Sequence, residues 1–401
     1  MAEQASGLRV IGMMSGTSFD AVDAGAAELS FDGDAITLRP LGLVSRSYPA
    51  EIRDGLADVL PPRPASAETL CRLDTLIGQF FAEVAEATIT ELCDGQADLI
   101  ASHGQTVFHW VEDGAARGTL QLGQPAWIAE RTGCPVVADF RSRDIAAGGQ
   151  GAPLVGLFDV LWLRSRPGRP AALNLGGIAN ITVDVGTDRP LAYDTGPANA
   201  LLDAVIRAVT GEPYDRDGVR AARGTIRPDL LQRLLAEPYY ARPAPKSTGK
   251  ELFNLDHLTG LLPALGPESL DSAALDDVLA TLTELTARTV AEAVGRHDPT
   301  EVIVAGGGVR NPTLVRRLTA ALAPVPLVPA EQLGLAGQAK EAYLFALLGF
   351  LTVHGLPGTV PSCTGARHGS VLGSITPGRG PLRTLPDPRP PLALRILPAG
   401  R

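Results

Sequence analysis

A chain of 401 residues is too long for one comfortable core and fits two domains of ordinary size, with a cleft expected between them. Hydrophobic residues make up 45% of the chain and charged residues 20%, which is typical of a soluble globular protein. The formal net charge of −9 argues against non-specific nucleic-acid binding, because that requires a basic surface.

The sequence also argues against a membrane protein and a metal or disulfide scaffold. The longest apolar run, Tyr343–Val353, is too short to span a bilayer and predicts a buried helix. The N-terminus lacks a basic region followed by an apolar core and a cleavage site, so we expect a cytoplasmic protein. Neither zinc nor a disulfide framework is predicted, because no CxxC spacing links the four cysteines, which are Cys71, Cys93, Cys134 and Cys363.

The first predicted feature is a β-hairpin over Val10–Gly25, with strands on either side of a small, hydroxyl-rich tip. Gly16 lets a ligand approach the backbone, and successive N–H groups with the hydroxyls of Ser15, Thr17 and Ser18 would form a concavity suited to an anion such as phosphate. An ordinary hairpin turn is the alternative.

A third strand at Ala35–Val44 is predicted to complete an antiparallel start to a mixed sheet. Apolar residues at helical spacing then predict a long amphipathic helix over Ser66–Cys93, with Ser66 as its N-cap. A strand at Asp98–Ser102 would deliver the polar cluster His103–Thr106 at its carboxyl end, where ligands of α/β sheets usually lie. A structural role is the alternative for His103.

A short strand at Pro135–Ala138 precedes a charged segment, Asp139–Asp144, and the glycine-rich run AAGGQGAP. Charged residues followed by glycines suggest a cleft wall joined to a hinge, although an exposed, salt-bridged loop is the alternative. We place the domain boundary at this segment, giving a first domain of 1–143 plus 360–401 and a second of 144–359.

The second half repeats the plan of the first: strand Ala171–Leu175, a turn at Gly176 and Gly177, and a returning strand over Asn180–Val185. A strand at Leu191–Tyr193 then leads to Asp194, just before a helix that Thr195 or Asn199 could cap. A carboxylate at that position tends to stay ionised and is a candidate general base, with helix capping alone as the alternative.

Four later stretches complete the prediction. Lys246–Phe253 is a glycine loop opening a helix, but it lacks the upstream glycine of a Walker A motif. A second amphipathic helix, marked by Leu275, Val278, Leu282, Leu285 and Val290, precedes the strand Val302–Ala305 and the triple glycine Gly306–Gly308, where a ring or a phosphate could approach backbone. Glu341 enters the buried apolar helix and needs a polar partner or ligand there. The Pro- and Arg-rich tail from Gly378 predicts a surface extension or disorder.

Eight stretches, in order, resemble the anhydro-N-acetylmuramic acid kinases, a family within the larger group of sugar kinases, Hsp70 and actin. They are IGMMSGTSFDAVD, SHGQTVFH, DFRSRDIAAGGQGAPL, NLGGIANIT, YDTGPANALLDA, PKSTGKELFN, VAGGGVRNPTL and PSCTGA with VLG. Each stretch alone is weak evidence for the family, but all eight in this order are specific for it. They extend from the first strand to about residue 373. Ala21 and Ala198 depart from the family, which commonly carries glycine at both positions.

The resemblance implies an α/β fold of duplicated ribonuclease H-like (actin-like ATPase) domains, with ATP and Mg²⁺ in an interdomain active-site cleft. It implies that Asp194 is the catalytic residue and that Asp20 contributes to the metal's water shell. The implied sugar-binding residues are His103, Gln105, Arg141, Asp144 and Glu341. The implied cofactor-binding residues are Ser15, Gly16, Thr17, Ser18, Phe19, Asp20, Ala21, Val22, Gly176, Gly177, Gly306, Gly307 and Gly308.

The implied reaction is ATP-dependent opening of the 1,6-anhydro bridge of anhydro-N-acetylmuramic acid with phosphorylation of O6, in peptidoglycan recycling. The expected partner is therefore a small-molecule sugar, and the sequence leaves a homodimer open. Two alternatives remain: a kinase for another 1,6-anhydro sugar such as levoglucosan, and a non-catalytic ATP-binding sensor of the same fold.

Overall fold

The structure is a computed structural model that describes residues 7–16, 19–61, 63–184, 189–244, 246–249, 252–261, 272–381 and 389–399. Thr17 and Ser18, expected to bind phosphate, lie outside the described residues.

Strands and α-helices are numbered separately along the chain. The strands are β1 (Leu8–Ser15), β2 (Ala21–Asp32), β3 (Ala35–Ser47), β4 (Leu99–Glu112), β5 (Ala115–Leu122), β6 (Val136–Ala138), β7 (Pro170–Leu175), β8 (Ile178–Val183), β9 (Leu191–Pro197), β10 (Glu301–Ala305), β11 (Leu327–Pro329), β12 (Ser374–Thr376) and β13 (Ala393–Ile396). The α-helices are α1 (Ala50–Val59), α2 (Ala67–Leu92), α3 (Pro125–Thr132), α4 (Ser142–Ala146), α5 (Val155–Arg164), α6 (Asn199–Thr210), α7 (Val219–Arg223), α8 (Pro228–Leu235), α9 (Leu255–Leu261), α10 (Ser272–Gly295), α11 (Pro312–Leu322), α12 (Lys340–Val353) and α13 (Pro361–Thr364).

The chain divides into two compact units, Met1–Ser165 with Leu333–Arg401, and Arg166–Gln332. The sequence places the divisions elsewhere, at 143/144 and 359/360. The difference arises because two apolar helices assigned by the sequence to the second domain pack in the first unit: α5 contacts β13, and α12 contacts β1, β2 and β4.

The first unit is built on a mixed sheet with the order β12-β6-β4-β1-β2-β3-β13, and β5 pairs with β4. The opening hairpin forms as predicted, since β1 and β2 pair antiparallel. The long helix also forms as predicted, and the Ser66 side chain accepts a hydrogen bond from the Thr69 N–H at 3.0 Å at its N-terminus.

The two faces of this sheet are covered by different helices. Ile11 and Met13 point into the core shared with α2, while the intervening Gly12 faces α12. A Cβ built on Gly12 would lie 1.8 Å from the backbone oxygen of Ala342, and one built on Gly25 would lie 2.9 Å from the Ala342 side chain. Glycine is therefore required for α12 to lie close against the sheet. The apolar run from Tyr343 is buried in α12 as predicted.

The second unit repeats this plan with the sheet order β11-β10-β7-β8-β9. Strands β7, β8 and β9 form an antiparallel meander, as β1, β2 and β3 do. Strand β10 runs parallel to β7 and to β11, as β4 does to β1 and β6. The same order and directions in both sheets confirm the predicted duplicated α/β fold. The amphipathic helix predicted before β10 is α10, and its marker residues are buried.

Two strands that carry candidate site residues extend beyond their predicted ends. Strand β4 continues through the polar cluster to Glu112, because its second half pairs with β5, a partner that the sequence prediction lacked. His103–Thr106 therefore lies inside a strand. Similarly, β9 continues to Pro197, so Asp194 lies within a strand and not at its end.

Two strands lie in the described part of the chain after Gly373. Strand β12 pairs antiparallel with β6, and β13 in the tail pairs parallel with β3. The prediction of an extension or disorder from Gly378 is wrong at β13, because Leu394 is fully buried there against the first unit.

Candidate functional site

The tip of the opening hairpin is held by Gln105. Its Nε2 donates to the carbonyl oxygen of Gly16 at 3.1 Å, and its Oε1 lies 2.7 Å from the Ser15 hydroxyl. The Ser15 hydroxyl also lies 2.9 Å from the carbonyl oxygen of Ala21, so its one proton serves one acceptor at a time. Ser15 is 2% exposed and Gln105 1% exposed. Both buried side chains therefore support the turn through hydrogen bonds.

The remaining hairpin residues occupy different environments. The Phe19 N–H donates to the Gly16 carbonyl at 3.2 Å, and Phe19 has a φ of 43°, which marks a tight turn. Asp20 is exposed, whereas Val22 is fully buried in the core with α2. The tip therefore offers backbone and Asp20 to a ligand, but not the side chain of Val22.

Asp20 and Asp23 form a pair of neighbouring carboxylates. Burial raises the pKa of Asp23, a hydrogen bond with Ser45 opposes this, and the charge of Asp20 adds to it. Within the described ranges no group of three or more His, Cys, Asp or Glu residues could hold a metal ion. One or two carboxylates without a protein cage suit Mg²⁺, which keeps several waters and binds through phosphate oxygens. The donor set near Asp20 therefore fits this ion.

His103, which is buried, and Arg141, which is partly exposed, form a hydrogen-bonded pair. The Nε of Arg141 donates to Nε2 of His103 at 2.8 Å, so Nδ1 carries the proton and donates to the carbonyl oxygen of Gly104 at 2.9 Å. Burial and the positive charge of Arg141 lower the pKa of His103 well below its usual range. His103 is therefore a neutral acceptor that orients the guanidinium, and its ring lies against Phe345 of α12.

Arg141 also reaches the start of α12 electrostatically. Its Nη1 donates to the carbonyl oxygen of Gly151 at 2.6 Å, and it interacts with the charge of Glu341. Desolvation by surrounding protein atoms raises the pKa of Glu341. The positive charges of Arg141 and Lys340 lower this pKa, and the charge of Asp23 raises it further. Glu341 nevertheless remains solvent-exposed. It is thus a carboxylate held in a charged setting but open to a ligand.

Lys340, next to Glu341, is held by a buried ion pair. Its Nζ lies 2.5 Å from Oδ1 of Asp159 on α5, and both side chains are at most 5% exposed. This pair ties the first turn of α12 to α5. It therefore fixes where Glu341 emerges.

Asp144 is completely buried and is used by the protein itself. Its Oδ2 accepts the N–H of Gly151 at 2.8 Å, and its Oδ1 accepts the hydroxyl of Thr364 at 2.8 Å. It joins α4 and the following glycine-rich run to α13. With both oxygens engaged and no exposure, Asp144 is placed to support the loop and not to contact a sugar directly.

A cavity of about 360 Å³ in the first unit is lined by both segments expected to form the sugar pocket, including His103, Gly104, Asp139 and Ser142. Arg141, Asp144 and Glu341 are not among its lining residues. The expected sugar residues therefore do not all line this cavity.

In the second unit the turn at Gly176 and Gly177 receives the start of α6. The Gly176 carbonyl accepts the Asn199 N–H at 3.1 Å and the Asn199 side-chain Nδ2 at 2.8 Å, and the Gly177 carbonyl accepts the Ala200 N–H at 2.9 Å. The predicted cap by Thr195 or Asn199 is wrong, since Ala198 is the N-cap residue and makes no side-chain bond. The hairpin carbonyls satisfy these amides instead.

The three glycines after β10 have different surroundings. A Cβ on Gly306 would lie 2.7 Å from Oδ1 of Asn174, and one on Gly308 would lie 2.7 Å from Cβ of Leu175. A Cβ on Gly307 would meet nothing within 4 Å, and this residue is exposed. Packing against the end of β7 therefore explains Gly306 and Gly308, whereas Gly307 is the position open to a ligand.

Asp194 is held by the segment Lys246–Gly249, which we call the KSTG loop. The Ser247 hydroxyl and the Thr248 N–H both donate to Asp194 Oδ2, each at 2.9 Å. The Asp194 N–H donates to the carbonyl oxygen of Lys246 at 3.0 Å. A β-bulge between Ala179 and Asn180 shifts the β8–β9 register beside Asp194. The carboxylate is therefore oriented by an irregular strand and a loop.

The loop itself is anchored below Asp194. Lys246 Nζ donates to the carbonyl oxygens of Tyr239 at 3.1 Å and Tyr240 at 2.9 Å, and the Tyr239 hydroxyl donates to the backbone oxygen of Asp194 at 2.8 Å. Sequence reasoning identified this segment as a glycine loop but gave it no role. No local signal in its sequence identifies Asp194 as its partner, because Ser247 lies 53 residues from Asp194.

Comparison with known proteins adds independent information. The family model described as anhydro-N-acetylmuramic acid kinase matches residues 8–378. A Streptomyces coelicolor protein of that name is 59% identical over 394 residues, covering 97% of this chain and 99% of its own. A Rhodococcus erythropolis protein of the same name is 55% identical, covering 97% and 99%.

Proposed function

The chain belongs to the anhydro-N-acetylmuramic acid kinase family, and on this premise we propose that it opens the 1,6-anhydro bridge of anhydro-N-acetylmuramic acid and phosphorylates O6 with ATP. The product is N-acetylmuramate 6-phosphate, formed in peptidoglycan recycling. The observation that carries this proposal is the family match over residues 8–378, which includes every candidate site residue.

The substrate dictates an unusual kinase reaction. Because the bridge joins C1 to C6, the sugar has no free hydroxyl at C6 to attack ATP. Water therefore attacks C1, the bond between C1 and O6 breaks, and O6 attacks the γ-phosphorus as the bond to ADP breaks. One water proton passes to a base and later to solvent, and the rest of the water becomes the C1 hydroxyl.

Asp194 is the proposed base. Its Oδ2 is engaged by Ser247 and Thr248, which hold the carboxylate in one orientation and favour its charged form. General-base catalysis typically contributes about 10² to 10⁴ in rate.

In the first unit, the backbone of the opening hairpin tip is proposed to bind phosphate. In the second unit, the backbone of Gly307, which leaves open space where a side chain would be, is proposed to approach phosphate or nucleoside. Mg²⁺, held through water by Asp20, would neutralise charge on the phosphates. On the sugar side, Glu341 and Arg141 are the proposed contacts, because Glu341 is exposed and Arg141 is oriented by His103. Asp144, His103 and Gln105 support these groups from within the fold.

No helix among the described residues is long and apolar enough to cross a membrane. Because the reaction consumes ATP, we place it in the cytoplasm.

The deciding experiment is turnover of anhydro-N-acetylmuramic acid with ATP in water enriched in oxygen-18. We expect ADP and a sugar 6-phosphate with one heavy oxygen at C1, located by mass analysis of fragments. Label at the phosphate, or ATP hydrolysis without sugar phosphate, would contradict the mechanism.

A parallel assay with levoglucosan tests the sugar. We expect much lower kcat/KM, because levoglucosan lacks the lactyl and acetamido groups. Equal or better turnover of levoglucosan would replace the proposed substrate, and ATP binding with no turnover of either sugar would indicate a sensor.

A further inference from the structure

We infer that Ser247 is a positioning residue: its hydroxyl holds the Asp194 carboxylate in the orientation that a general base requires and favours the charged form of that carboxylate. This inference rests on the proposed function, in which Asp194 accepts the water proton. It assigns a role to the KSTG loop, for which the sequence prediction had none.

The first argument is geometric. Ser247 and Thr248 place two donors on one oxygen of Asp194, at 2.9 Å each. The Thr248 donor is a backbone amide, so only the Ser247 donor depends on side-chain identity. Because Ser247 is exposed, its side chain does not pack in the core.

The second argument is that the loop is built to present these donors. Its lysine is bound by the carbonyl oxygens of Tyr239 and Tyr240 and lies 4.6 Å from the centre of the Tyr239 ring. The lysine carbonyl in turn accepts the Asp194 N–H. Both backbone and side-chain hydrogen bonds therefore hold the loop against strand β9. These contacts keep the Ser247 hydroxyl within hydrogen-bonding distance of Asp194.

Several other charged or titratable groups surround this contact. Tyr239 feels the charge of Asp194, and burial is the main cause of its raised pKa. Among the described residues, Lys246 and Arg242 are nearby cations. Tyr193 hydrogen-bonds to His297 at 2.7 Å, and Arg296 and Glu292 lie beside this pair. None of these side chains is removed by a change at Ser247, so such a change isolates one hydrogen bond.

A carboxylate that loses a donor becomes easier to protonate. In Ser247→Ala we expect kcat to fall about 10- to 100-fold, the range for one hydrogen bond to a charged group. KM values for ATP and sugar should stay within about two-fold, since the hydroxyl acts through Asp194. The acid limb of the pH profile should move up by about one pH unit.

Ser247→Thr should restore both the rate and the acid limb, because it keeps the hydroxyl. Thr319→Ala is the matched control: it removes an exposed hydroxyl of the same unit that donates to the carbonyl oxygen of Val315 at 2.9 Å. It should behave like the parent protein.

A second readout does not need turnover. The carboxyl carbon of Asp194, assigned by comparison with Asp194→Asn and followed by NMR, should titrate at higher pH in Ser247→Ala than in the parent. An unchanged titration overturns the inference, as does reduced activity with an unmoved acid limb. A parent protein that titrates as expected but turns over no anhydro sugar contradicts the proposed function alone.

Discussion

Arg141 donates from Nε to Nε2 of His103 at 2.8 Å, and this one contact sets the protonation state of a buried imidazole. The sequence favours a substrate contact for His103. Its neutral form, with Nδ1 donating to Gly104, makes it an orienting partner for Arg141 instead. Since burial and Arg141 both lower the pKa of His103, protonation must oppose folding.

The sign of the resulting pH dependence is clear. Below about pH 6.5 this histidine is protonated in the unfolded chain but not in the folded chain. The free energy of unfolding therefore decreases as the pH is lowered, by up to about 1.4 kcal/mol per pH unit. Above about pH 6.5 the histidine is neutral in both states and causes no such decrease. His103→Gln, whose amide oxygen can accept from Arg141, should reduce the slope measured by urea unfolding between about pH 7 and pH 5. His368→Gln, at an exposed histidine, should keep the parent slope. An equal slope in all three proteins would refute this assignment.

Gly12 is expected to be a position where even one methyl group is not tolerated. A Cβ there would lie 1.8 Å from the Ala342 carbonyl oxygen and 2.4 Å from the Ala346 nitrogen, and both are backbone atoms of α12. Gly12→Ala must push the helix off the sheet, and we expect a loss of about 3 kcal/mol or more in the free energy of unfolding.

Gly260→Ala in α9 is the control, because its Cβ would meet nothing within 4 Å and alanine favours a helix. It should leave the unfolding midpoint equal or slightly raised. An unchanged midpoint in Gly12→Ala would show that α12 does not pack as described.

The sequence predicted elements well where periodicity or capping decides structure. Helix α2 with its Ser66 cap, α10 and the buried α12 follow from apolar spacing, and the two hairpins follow from strand signals around glycine turns. Strand ends were harder to predict, because a strand continues where a partner exists, and β5 was not predicted as a partner for β4. The strand β13 was missed for a related reason, since pairing with β3 overrides a Pro- and Arg-rich composition.

Within the candidate site, residue types were easier to predict than roles. The sequence identifies Asp144 as a candidate sugar-binding carboxylate, but its two oxygens accept hydrogen bonds from Gly151 and Thr364. Thr364 lies 220 positions from Asp144 in the sequence. Ser247 was overlooked because it lies 53 residues from Asp194. Such long-range contacts depend on the assembled fold, and local sequence pattern carries no record of them.

Asp194→Asn should separate chemistry from binding. The amide oxygen can still accept from Ser247 and Thr248, so the loop should remain in place, but an amide cannot take a proton from water. We expect kcat to fall by about 10² to 10⁴ while ATP affinity by calorimetry stays within about two-fold. Asp298→Asn is the control, since that carboxylate forms an exposed ion pair with Arg169. Full activity in Asp194→Asn would remove Asp194 as the base.

Gly307 provides a test of where ATP lies that is independent of stability. Its neighbours Gly306 and Gly308 would drive a Cβ into Asn174 and Leu175, so alanine at either should lower the free energy of unfolding. Gly307 faces open space, and Gly307→Ala should leave unfolding unchanged. If phosphate or nucleoside approaches this backbone, however, the added methyl must occupy part of the ligand's volume. We therefore expect Gly307→Ala to raise KM for ATP by about ten-fold or more, a cost of about 1.4 kcal/mol, with KM for the sugar little changed. Steady-state kinetics with each substrate varied in turn, alongside urea unfolding, measures both quantities. A stable Gly307→Ala protein with unaltered KM for ATP would place the nucleotide away from the turn after β10.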